Sequence, residues 1–389
     1  MLTLKNIKKI IGIEGIKSLI IKEGIVHIDS GLDSTYGNEI FCDDCIVAPG
    51  FVDPQVNGYL DCNFWEEPTF KEIDELRIRL AETGTVAFFP TIITNKKEKI
   101  LQSIELINKY LKQCAPDSGA NIAGIHLEGI FISKFGVHKK EYATSELTIK
   151  NVNPFLKDNV SLFTIAPELD KKGDAIELLQ KNNILVSIGH TDANYEEGNK
   201  AIDSYGLDTC THIFNAMRGV EGFSHRKNDN PNIEILLKKL NSEDKIDKKT
   251  DGIILSILKH RDFLTMLIAD GIHVNKETIK LLFNIKDKNK IALVSDLVAK
   301  DFFETEEKKG MLGGGQNTLE DCVRNLIDWK IVPEEDSLLC ASYPITQKIK
   351  SISHLGKIQV GKKANLVIWD TKKRRVKGTI IGKNTFIRS

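Results

Sequence analysis

The feature of this sequence that most constrains its fold is a series of apolar runs, each followed at once by polar residues. Three of these runs have the length and composition of buried strands: Asn121–Ile125, Ile184–Ile188 and Ile291–Val294. Amphipathic stretches such as Phe70–Thr83 and Lys97–Gln113 lie between runs of this kind. The alternation predicts an α/β fold with a parallel sheet. Polar residues at the strand ends are typical of a (β/α)8 TIM-like barrel.

The two ends of the chain have a different pattern from the centre. Residues 1–48 alternate in short β-like runs with glycine turns, and residues 356–389 do the same. We therefore expect a small β-sandwich domain built from both termini, with the barrel inserted between them. The predicted boundaries are 1–48 for its N-terminal part, 49–340 for the barrel and 341–389 for its C-terminal part.

Composition excludes several classes of partner. Lys+Arg and Asp+Glu both total 54 among 389 residues, and a net charge of zero argues against a nucleic-acid or anionic-membrane binder. We expect no bilayer-spanning run and no signal peptide. Seven scattered cysteines fit reduced thiols in a cytoplasmic protein. Cys42 and Cys45 form a CxxC, which is half of a zinc motif or, as we prefer without a second CxxC, two structural cysteines.

The polar residues at the strand ends include a carboxylate and two imidazoles. Each has an ordinary structural explanation, since Glu128 could pair with a lysine and a lone His190 or His212 is commonly a hydrogen-bonded core residue. Taken together, one Glu and two His supply three ligands and leave one open position, which is the arrangement of catalytic zinc. Zinc suits this set, although iron, cobalt or manganese would also bind it.

Two further groups refine this hypothesis. Strand alternation directs Asp53, Gln55 and Asn57 to one face, and neutral amides are poor zinc ligands. We therefore expect one metal rather than two, although a hydrogen-bonded polar turn is the simpler explanation of this segment. Asp296 is not needed as a ligand, so it can take a proton from water and return it to a leaving amine. Its alternative role is a helix N-cap, and His273 is a candidate substrate contact.

The ordered motifs of the chain resemble those of one enzyme family. They are Pro49-Gly-Phe-Val-Asp53, His126-Leu-Glu-Gly129, Ala166-Pro-Glu168, Gly189-His-Thr191, Thr211-His-Ile-Phe-Asn-Ala-Met217 and Ile268-Ala-Asp-Gly-Ile-His273. This set is similar to that of the N-acetylglucosamine-6-phosphate deacetylases of the amidohydrolase superfamily. The resemblance covers nearly the whole chain and includes the closing segment Gly356–Val367.

The resemblance implies a function and a role for each site residue. The implied function is metal-dependent hydrolysis of the N-acetyl group of N-acetylglucosamine-6-phosphate to glucosamine-6-phosphate and acetate, by a cytoplasmic homodimer. Glu128, His190 and His212 would hold one metal, Asp296 would be the acid and base, and His138 would polarise the acetamide carbonyl. Arg226 would contact the phosphate, in some members from the neighbouring subunit. The implied substrate contacts are Val137, His138, Asn215, Ala216, Arg226, His273, Leu312, Gly313 and Gly314.

Two departures from the family pattern keep alternatives open. The segment after Asp296 is shorter than usual, because a hairpin before Leu312–Gly315 is missing. An amidohydrolase that acts on the galactosamine epimer or on a cyclic amide therefore remains as a rival. A rival from a different class is a non-catalytic sugar-phosphate sensor that kept the fold. The second departure is the charged stretch Lys238–Asp251, which we expect to be a surface loop or a solvated helix.

Overall fold

A computed structural model describes residues 1–29, 37–222, 232–309 and 312–388 of the chain. The strands within these ranges are β1 (Leu2–Lys5), β2 (Lys9–Ile10), β3 (Leu19–Lys22), β4 (Ile25–Ile28), β5 (Asn38–Phe41), β6 (Cys45–Pro49), β7 (Phe51–Val56), β8 (Gly58–Tyr59), β9 (Cys62–Asn63), β10 (Thr85–Ile92), β11 (Asn121–Ile122), β12 (Ile125–Phe131), β13 (Val160–Ile165), β14 (Leu185–Ile188), β15 (Thr209–Cys210), β16 (Leu264–Leu267), β17 (Ile291–Leu293), β18 (Asn365–Asp370), β19 (Arg375–Ile381) and β20 (Asn384–Ile387).

The helices alternate with the strands through the middle of the chain. They are α1 (Phe70–Glu82), α2 (Lys97–Leu111), α3 (Ile149–Val152), α4 (Asp174–Lys181), α5 (Tyr195–Asn199), α6 (Ile233–Leu240), α7 (Ile253–Lys259), α8 (Lys276–Ile285), α9 (Lys300–Lys308), α10 (Leu319–Asp328), α11 (Glu334–Cys340) and α12 (Tyr343–Thr346). No helix in the described part of the chain combines the length and the apolar character that crossing a membrane requires.

Parallel strands form a closed central barrel. Within the described ranges, eight strands pair in the order β7-β10-β12-β13-β14-β15-β16-β17. A parallel bridge from Val56 to Leu297, just beyond β17, joins the last strand to the first. The N–H of Asn57 reinforces it by donating to the Leu297 carbonyl over 2.8 Å. The predicted (β/α)8 fold class is therefore confirmed.

The helices pack on this barrel through the apolar stripes that the sequence predicts. In α1, Ile73, Leu76 and Leu80 are buried at a spacing of three to four residues. Thr69 caps the first turn, since its side chain accepts from the N–H of Glu72 and the Glu72 carboxylate accepts from the N–H of Thr69. The observed helix therefore matches the predicted stretch Phe70–Thr83 closely.

Both termini contribute to the β-sandwich. One sheet has the order β4-β3-β1-β5 and the other the order β2-β6-β18-β19-β20, so N-terminal and C-terminal strands pair directly. Leu4, Leu19, Val47 and Leu366 pack between the sheets. Helix α12 contacts β7 and β17 of the barrel, although it lies C-terminal to the predicted boundary at residue 340. The exact boundaries stay a prediction.

One strand differs from its predicted extent, and the difference affects the site. The run Asn121–Ile125 is interrupted after β11, where a Cβ on Gly124 would lie 1.8 Å from Ser161 Oγ. The main strand, β12, begins at Ile125 and contains both His126 and Glu128. Its pairing with β13 shifts register between Leu127 and Phe131, and Gly129 has φ +85° there. Glu128 is thus held within a bulged strand rather than in the loop that follows it.

The charged stretch Lys238–Asp251 matches the expected surface loop or solvated helix only in part. It begins in α6 and is largely exposed, but Asp251 is fully buried. The Asp251 carboxylate accepts from Lys239 Nζ at 2.7 Å and from the backbone N–H groups of Asp247 and Glu221. The expectation is wrong for Asp251, because this carboxylate organises the segment from inside.

Candidate metal centre

A cavity of about 480 Å³ opens at the carboxyl ends of the barrel strands. It brings together every predicted site residue except Arg226, which lies outside the described residues. The predicted residues that line it are Glu128, Val137, His138, His190, His212, Asn215, Ala216, His273, Asp296, Leu312, Gly313 and Gly314. Carboxyl ends of parallel strands meet at one face of a barrel, so residues far apart in the sequence converge there.

The Glu128 carboxylate lies at the centre of the predicted ligand set. Its Oε1 is 3.0 Å from His212 Nε2 and 3.5 Å from His190 Nε2. All three side chains are buried. In addition, ligand atoms of Glu128, His138 and His190 lie within 4.8 Å of one another. The group that meets this spacing contains His138, whereas His212 contacts Glu128 from outside it.

The hydrogen bonds around His190 show that the centre suits a cation. His190 Nδ1 lies 2.9 Å from the carbonyl of Lys134, which can only accept, so Nδ1 carries the proton. Nε2 is then an unprotonated nitrogen that faces the carboxylate oxygen of Glu128. When Glu128 is ionised, two acceptors face each other here without a proton between them. A divalent cation satisfies both, and a carboxylate with imidazoles is a donor set of zinc.

Burial controls the protonation of these groups. It raises the pKa of Glu128 to about 7 and lowers the pKa of His190 to about 4. Burial also lowers the pKa values of His138 and His212. Neutral imidazoles are the form that binds metal. The buried environment thus favours the neutral form of these histidines, which can bind a metal, over the protonated form.

Asp296 lies beside this set and is held by two side-chain amides. Its Oδ1 accepts from Gln55 Nε2 at 2.7 Å and from Asn57 Nδ2 at 2.6 Å. Gln55 Nε2 also donates to Glu128 Oε2 at 2.8 Å, so one amide joins the two carboxylates. Burial raises the pKa of Asp296 to about 6. The amides of Gln55 on β7 and of Asn57 just after it therefore act as hydrogen-bond donors to the carboxylates of the centre.

Local structure shapes two of the predicted substrate contacts, His273 and Gly314. His273 Nδ1 lies 2.6 Å from Asp270 Oδ2, and Asp270 Oδ1 accepts from the N–H groups of Ile272 and His273. Burial alone would lower the pKa of His273, but the bond to Asp270 outweighs it and the pKa is raised. On another wall, Gly314 has φ +82°, and a Cβ there would lie 2.7 Å from the Asp296 carbonyl oxygen.

Some residues at the site were not anticipated from the sequence. Ile93, Val298 and Phe302 give the cavity an apolar wall, with Phe302 edge-on to Trp65 at a centroid distance of 5.1 Å. Thr94 lies behind His138. The sequence alone identifies neither the apolar wall nor Thr94, because apolar and threonine side chains are common near strand ends. No lysine or arginine is among the described residues that line the cavity.

The neighbouring His126 is not part of the centre. Although it lies two residues from Glu128, its ring nitrogens face Thr164 Oγ1 at 2.7 Å and the Pro54 carbonyl at 3.1 Å. It is fully buried within the barrel, and burial lowers its pKa to about 3. His126 therefore serves the polar interior of the barrel.

Comparison with known proteins gives consistent relatives, although no family model matches the chain. The N-acetylglucosamine-6-phosphate deacetylase of Bacillus subtilis (strain 168) is 31% identical over 298 residues, which cover 71% of this chain and 67% of the relative. The enzyme of the same name from Mus musculus is 30% identical over 360 residues, which cover 85% of this chain and 80% of the relative.

Solved structures extend the likeness to the whole fold. The crystal structure of N-acetylglucosamine-6-phosphate deacetylase from Pasteurella multocida superposes with a TM-score of 0.82 at 22% identity, covering 100% of both chains. A mutant of the Mycobacterium smegmatis deacetylase in complex with N-acetyl-D-glucosamine-6-phosphate superposes with a TM-score of 0.78 at 20% identity. It covers 100% of this chain and 99% of that one.

Proposed function

The chain belongs to the N-acetylglucosamine-6-phosphate deacetylase family, and from this premise we propose how its residues carry out the reaction. It hydrolyses the N-acetyl group of N-acetylglucosamine-6-phosphate and releases acetate and glucosamine-6-phosphate. The observation that carries the proposal is the buried contact of Glu128 with unprotonated imidazole nitrogen, beside an amide-held Asp296. A non-catalytic sensor has no need of such a donor set.

Glu128, His190 and His212 would hold one divalent metal, with zinc as the ion that suits a carboxylate and two imidazoles. When bound, the ion supplies a Lewis acid that polarises the amide carbonyl and lowers the pKa of water. The chain positions these side chains on β12 and just after β14 and β15. Gln55 fixes the second oxygen of Glu128, which orients the carboxylate.

Asp296 would carry the proton. Its Oδ1 already accepts two amide hydrogen bonds, so Oδ2 is the oxygen with capacity for a proton. It takes one proton from the attacking water as the carbon–oxygen bond forms. It then gives that proton to the sugar nitrogen as the carbon–nitrogen bond breaks, which leaves a neutral amine and acetic acid. The acid loses its remaining proton to solvent and leaves as acetate.

The cavity walls would bind the sugar phosphate. Asn215 and Ala216 lie in the segment that follows β15, and Leu312, Gly313 and Gly314 line the same cavity. We assign substrate contact to these residues, to Val137 and to His273. Phosphate binding falls to Arg226, whose guanidinium chemistry suits a phosphate.

The direct experiment measures acetate release from N-acetylglucosamine-6-phosphate by the zinc-loaded protein. We expect Asp296→Asn to lower kcat by about 100- to 10,000-fold, because the proton carrier is lost. The matched control is Asp262→Asn, which makes the same change at a side chain that is 99% exposed, and it should retain wild-type kcat. Absence of release by the wild type would refute the substrate, and full activity of Asp296→Asn would refute the role of Asp296.

The epimeric substrate provides a second assay. Release from N-acetylgalactosamine-6-phosphate should be slower than release from the glucosamine substrate at equal concentration. A reversed preference would assign the chain to the rival substrate. The assay matters because the segment after Asp296 departs from the family pattern. Two residues of that segment, Val298 and Phe302, form one wall of the cavity.

We also propose a cytoplasmic homodimer. All seven cysteines are free thiols, which suits a reducing compartment. The dimer proposal rests on the family, in which the counterpart of Arg226 can act from the neighbouring subunit. Sedimentation analysis should give twice the chain mass of 43.6 kDa, and a monomer at working concentration would contradict it.

A further inference from the structure

The CxxC of the sequence lies at the corner where the chain passes from one sheet of the sandwich to the other. Cys42 follows β5 of the first sheet, and Cys45 begins β6 of the second. Between them the chain makes a tight turn, closed by a 2.9 Å hydrogen bond from the Cys45 N–H to the Cys42 carbonyl. Because such a turn brings its first and last Cα atoms within about 7 Å of each other, the two residues have the spacing of a disulfide.

Both cysteine side chains point into the apolar core of the sandwich. Cys42 is 0% exposed and Cys45 is 1% exposed, and both pack in one cluster with Leu4 and Val47. Their thiols are hydrogen-bonded to each other, and Cys42 Sγ also lies 3.6 Å from the Ile40 carbonyl oxygen. The two sulfur atoms are therefore neighbours on the same side of the turn, and a bond between them can form within it.

Neighbouring backbone holds this turn in place. The Cys42 N–H donates to the Lys5 carbonyl over 2.8 Å, and the Cys45 carbonyl accepts from the Lys8 N–H over 3.1 Å. Each cysteine is thus tied to the segment at the end of β1, independently of the hydrogen bond that closes the turn. Thiols that are held together behave as if their local concentration were high, which favours a disulfide over two separate thiols.

A zinc site is the alternative use of a CxxC, and the surroundings of the pair do not complete one. Structural zinc takes four ligands in a tetrahedron, so two thiolates require two further donors. Within the ranges that the structure describes, the cluster of His, Cys, Asp or Glu side chains with metal-binding spacing lies at the barrel mouth and includes neither cysteine. The pair therefore offers sulfur–sulfur chemistry rather than a metal centre.

The surroundings of the two thiols differ, and the difference decides which reacts first. The hydrogen bond with Cys42 lowers the pKa of the Cys45 thiol, against the effect of burial, and the same bond raises the pKa of Cys42. The ammonium of Lys377, whose Nζ donates to the Phe41 carbonyl at 2.5 Å, also lowers the pKa of Cys45. Cys45 is thus the thiol that more readily becomes a thiolate, which is the nucleophile of disulfide exchange.

We propose that Cys42 and Cys45 are a redox-modification site, which forms a reversible disulfide by exchange with a small-molecule disulfide such as oxidised glutathione. The Cys45 thiolate attacks one sulfur of that disulfide, its S–S bond breaks, and the departing thiolate takes up the proton that Cys45 released. Cys42 then loses its proton and attacks the Cys45 sulfur. This step forms the Cys42–Cys45 bond and releases the second small thiolate, which takes up the proton from Cys42.

The exchange is balanced, because two protein thiols are oxidised while one small disulfide is reduced to two thiols. Reversible disulfides of this kind are the redox-sensing type found in reducing compartments. The site lies in the sandwich, apart from the metal centre, so the inference does not depend on the proposed function.

An equilibrium titration with reduced and oxidised glutathione tests the proposal. Wild-type protein is titrated folded and again unfolded in urea, its thiols are trapped by alkylation, and the mass of the peptide that contains residues 42–45 is measured. We expect the equilibrium constant for the disulfide to be at least about 10-fold larger in the folded protein, because the turn holds the thiols together. An equal or smaller constant in the folded protein would overturn the proposal.

Two variants show whether the disulfide is the one proposed. Cys45→Ser should form no disulfide within the chain at Cys42. The matched control is Cys340→Ser, at a buried cysteine whose Sγ lies 3.6 Å from the Lys288 carbonyl oxygen, and it should titrate like the wild type. An intramolecular disulfide that persists in Cys45→Ser, or one that is lost in Cys340→Ser, would overturn the pairing.

Urea unfolding of the oxidised and reduced proteins gives a second test. Folding and oxidation form one thermodynamic cycle, so the oxidised wild type should be more stable than the reduced wild type by the same factor. A 10-fold ratio corresponds to about 1.4 kcal/mol in the free energy of unfolding. The same treatment of Cys45→Ser should leave its stability unchanged. An oxidised wild type that unfolds at a lower urea concentration than the reduced protein would contradict the proposal.

Discussion

At the scale of single residues, the centre is built on backbone conformations that residues other than glycine rarely adopt. His190 has φ 49°, His212 has φ 25° and Asp296 has φ 52°, all in the left-handed region. Such conformations cost about 1–3 kcal/mol each and persist only where the surroundings enforce them. Their coincidence at three predicted site residues, each just after a barrel strand, indicates that strain is tolerated here because it directs side chains into the cavity.

The Asp270–His273 pair should make stability depend on pH. The pKa of Asp270 is lowered and that of His273 is raised. Asp270 therefore stabilises the fold above its unfolded pKa of about 3.9, and His273 stabilises it below its unfolded pKa of about 6.5. His273→Leu should lower the free energy of unfolding by about 1.5–3 kcal/mol near pH 6. The loss should shrink as pH rises through the raised pKa of His273.

Urea unfolding of wild type and His273→Leu at pH 6 and pH 9 measures this effect. His27→Leu is the control, because His27 lies on β4 of the sandwich and is exposed. A difference between wild type and His273→Leu that stays constant with pH would show that the pair is not ionised in the folded protein.

At the scale of elements, the bulge in β12 connects the strand to the chemistry. Gly129 occupies it with φ +85°, and a Cβ there would lie 2.0 Å from Thr94 Oγ1 and 2.4 Å from His138 Nδ1. The bulge thus lets Glu128 face the cavity while Thr94 and His138 close over the backbone behind it. A regular strand would not leave this space.

Gly129→Ala should therefore damage both stability and metal binding. We expect the free energy of unfolding to fall by at least about 2 kcal/mol, since the new methyl group has no room. Gly206→Ala separates this clash from the cost of positive φ, because Gly206 has φ +67° with nothing within 4 Å of the added Cβ. That control should lose only about 1–2 kcal/mol and keep its zinc. Equal losses in the two variants would contradict the steric argument.

Loss of the buried carboxylate of Asp251 should also lower the stability of the protein. Replacing it with Ala leaves the ammonium of Lys239, whose side chain is 12% exposed, without its carboxylate partner. We expect a loss of about 3 kcal/mol in the free energy of unfolding. Asp244→Ala, at an exposed position in the same segment, should change it by less than about 0.5 kcal/mol. Equal unfolding midpoints for the two variants would contradict the role of Asp251.

At the scale of the whole molecule, the metal would link parts of the barrel that are distant in sequence. Its proposed ligands lie on β12 and after β14 and β15, and Gln55 of β7 touches the same carboxylate. The sandwich is tied to the barrel in several places. Glu320 of α10 accepts from the Val376 N–H of β19 at 2.7 Å and from Arg388 at 2.7 Å.

Removing the metal should lower the stability of the entire chain. If zinc is present at about 1,000 times its Kd, a chelator should reduce the free energy of unfolding by about 4 kcal/mol. Calorimetry with and without chelator measures this, and Glu128→Gln is the control, because a variant without a ligand carboxylate should show little shift. An unchanged wild-type unfolding temperature would mean that no ion is bound.

Much of this protein followed from its sequence. Strand and helix periods predicted the barrel, since burial on both faces makes parallel strands continuously apolar. The resemblance of the ordered motifs predicted Glu128, His190 and His212 as ligands and Asp296 as their neighbour, and all four line one cavity. These results depend on local pattern and on the common edge at which parallel strands end.

Only the tertiary structure decided how those residues face one another. Thr94 lies just after β10 and Gly129 lies in β12, and their contact determines the proton position on His138. The bulge in β12 and the burial of Asp251 likewise depend on neighbours far away in sequence. Residue type and spacing fix which chemical groups reach the barrel mouth. Their distances, tautomers and orientation depend on packing between strands, which no local pattern encodes.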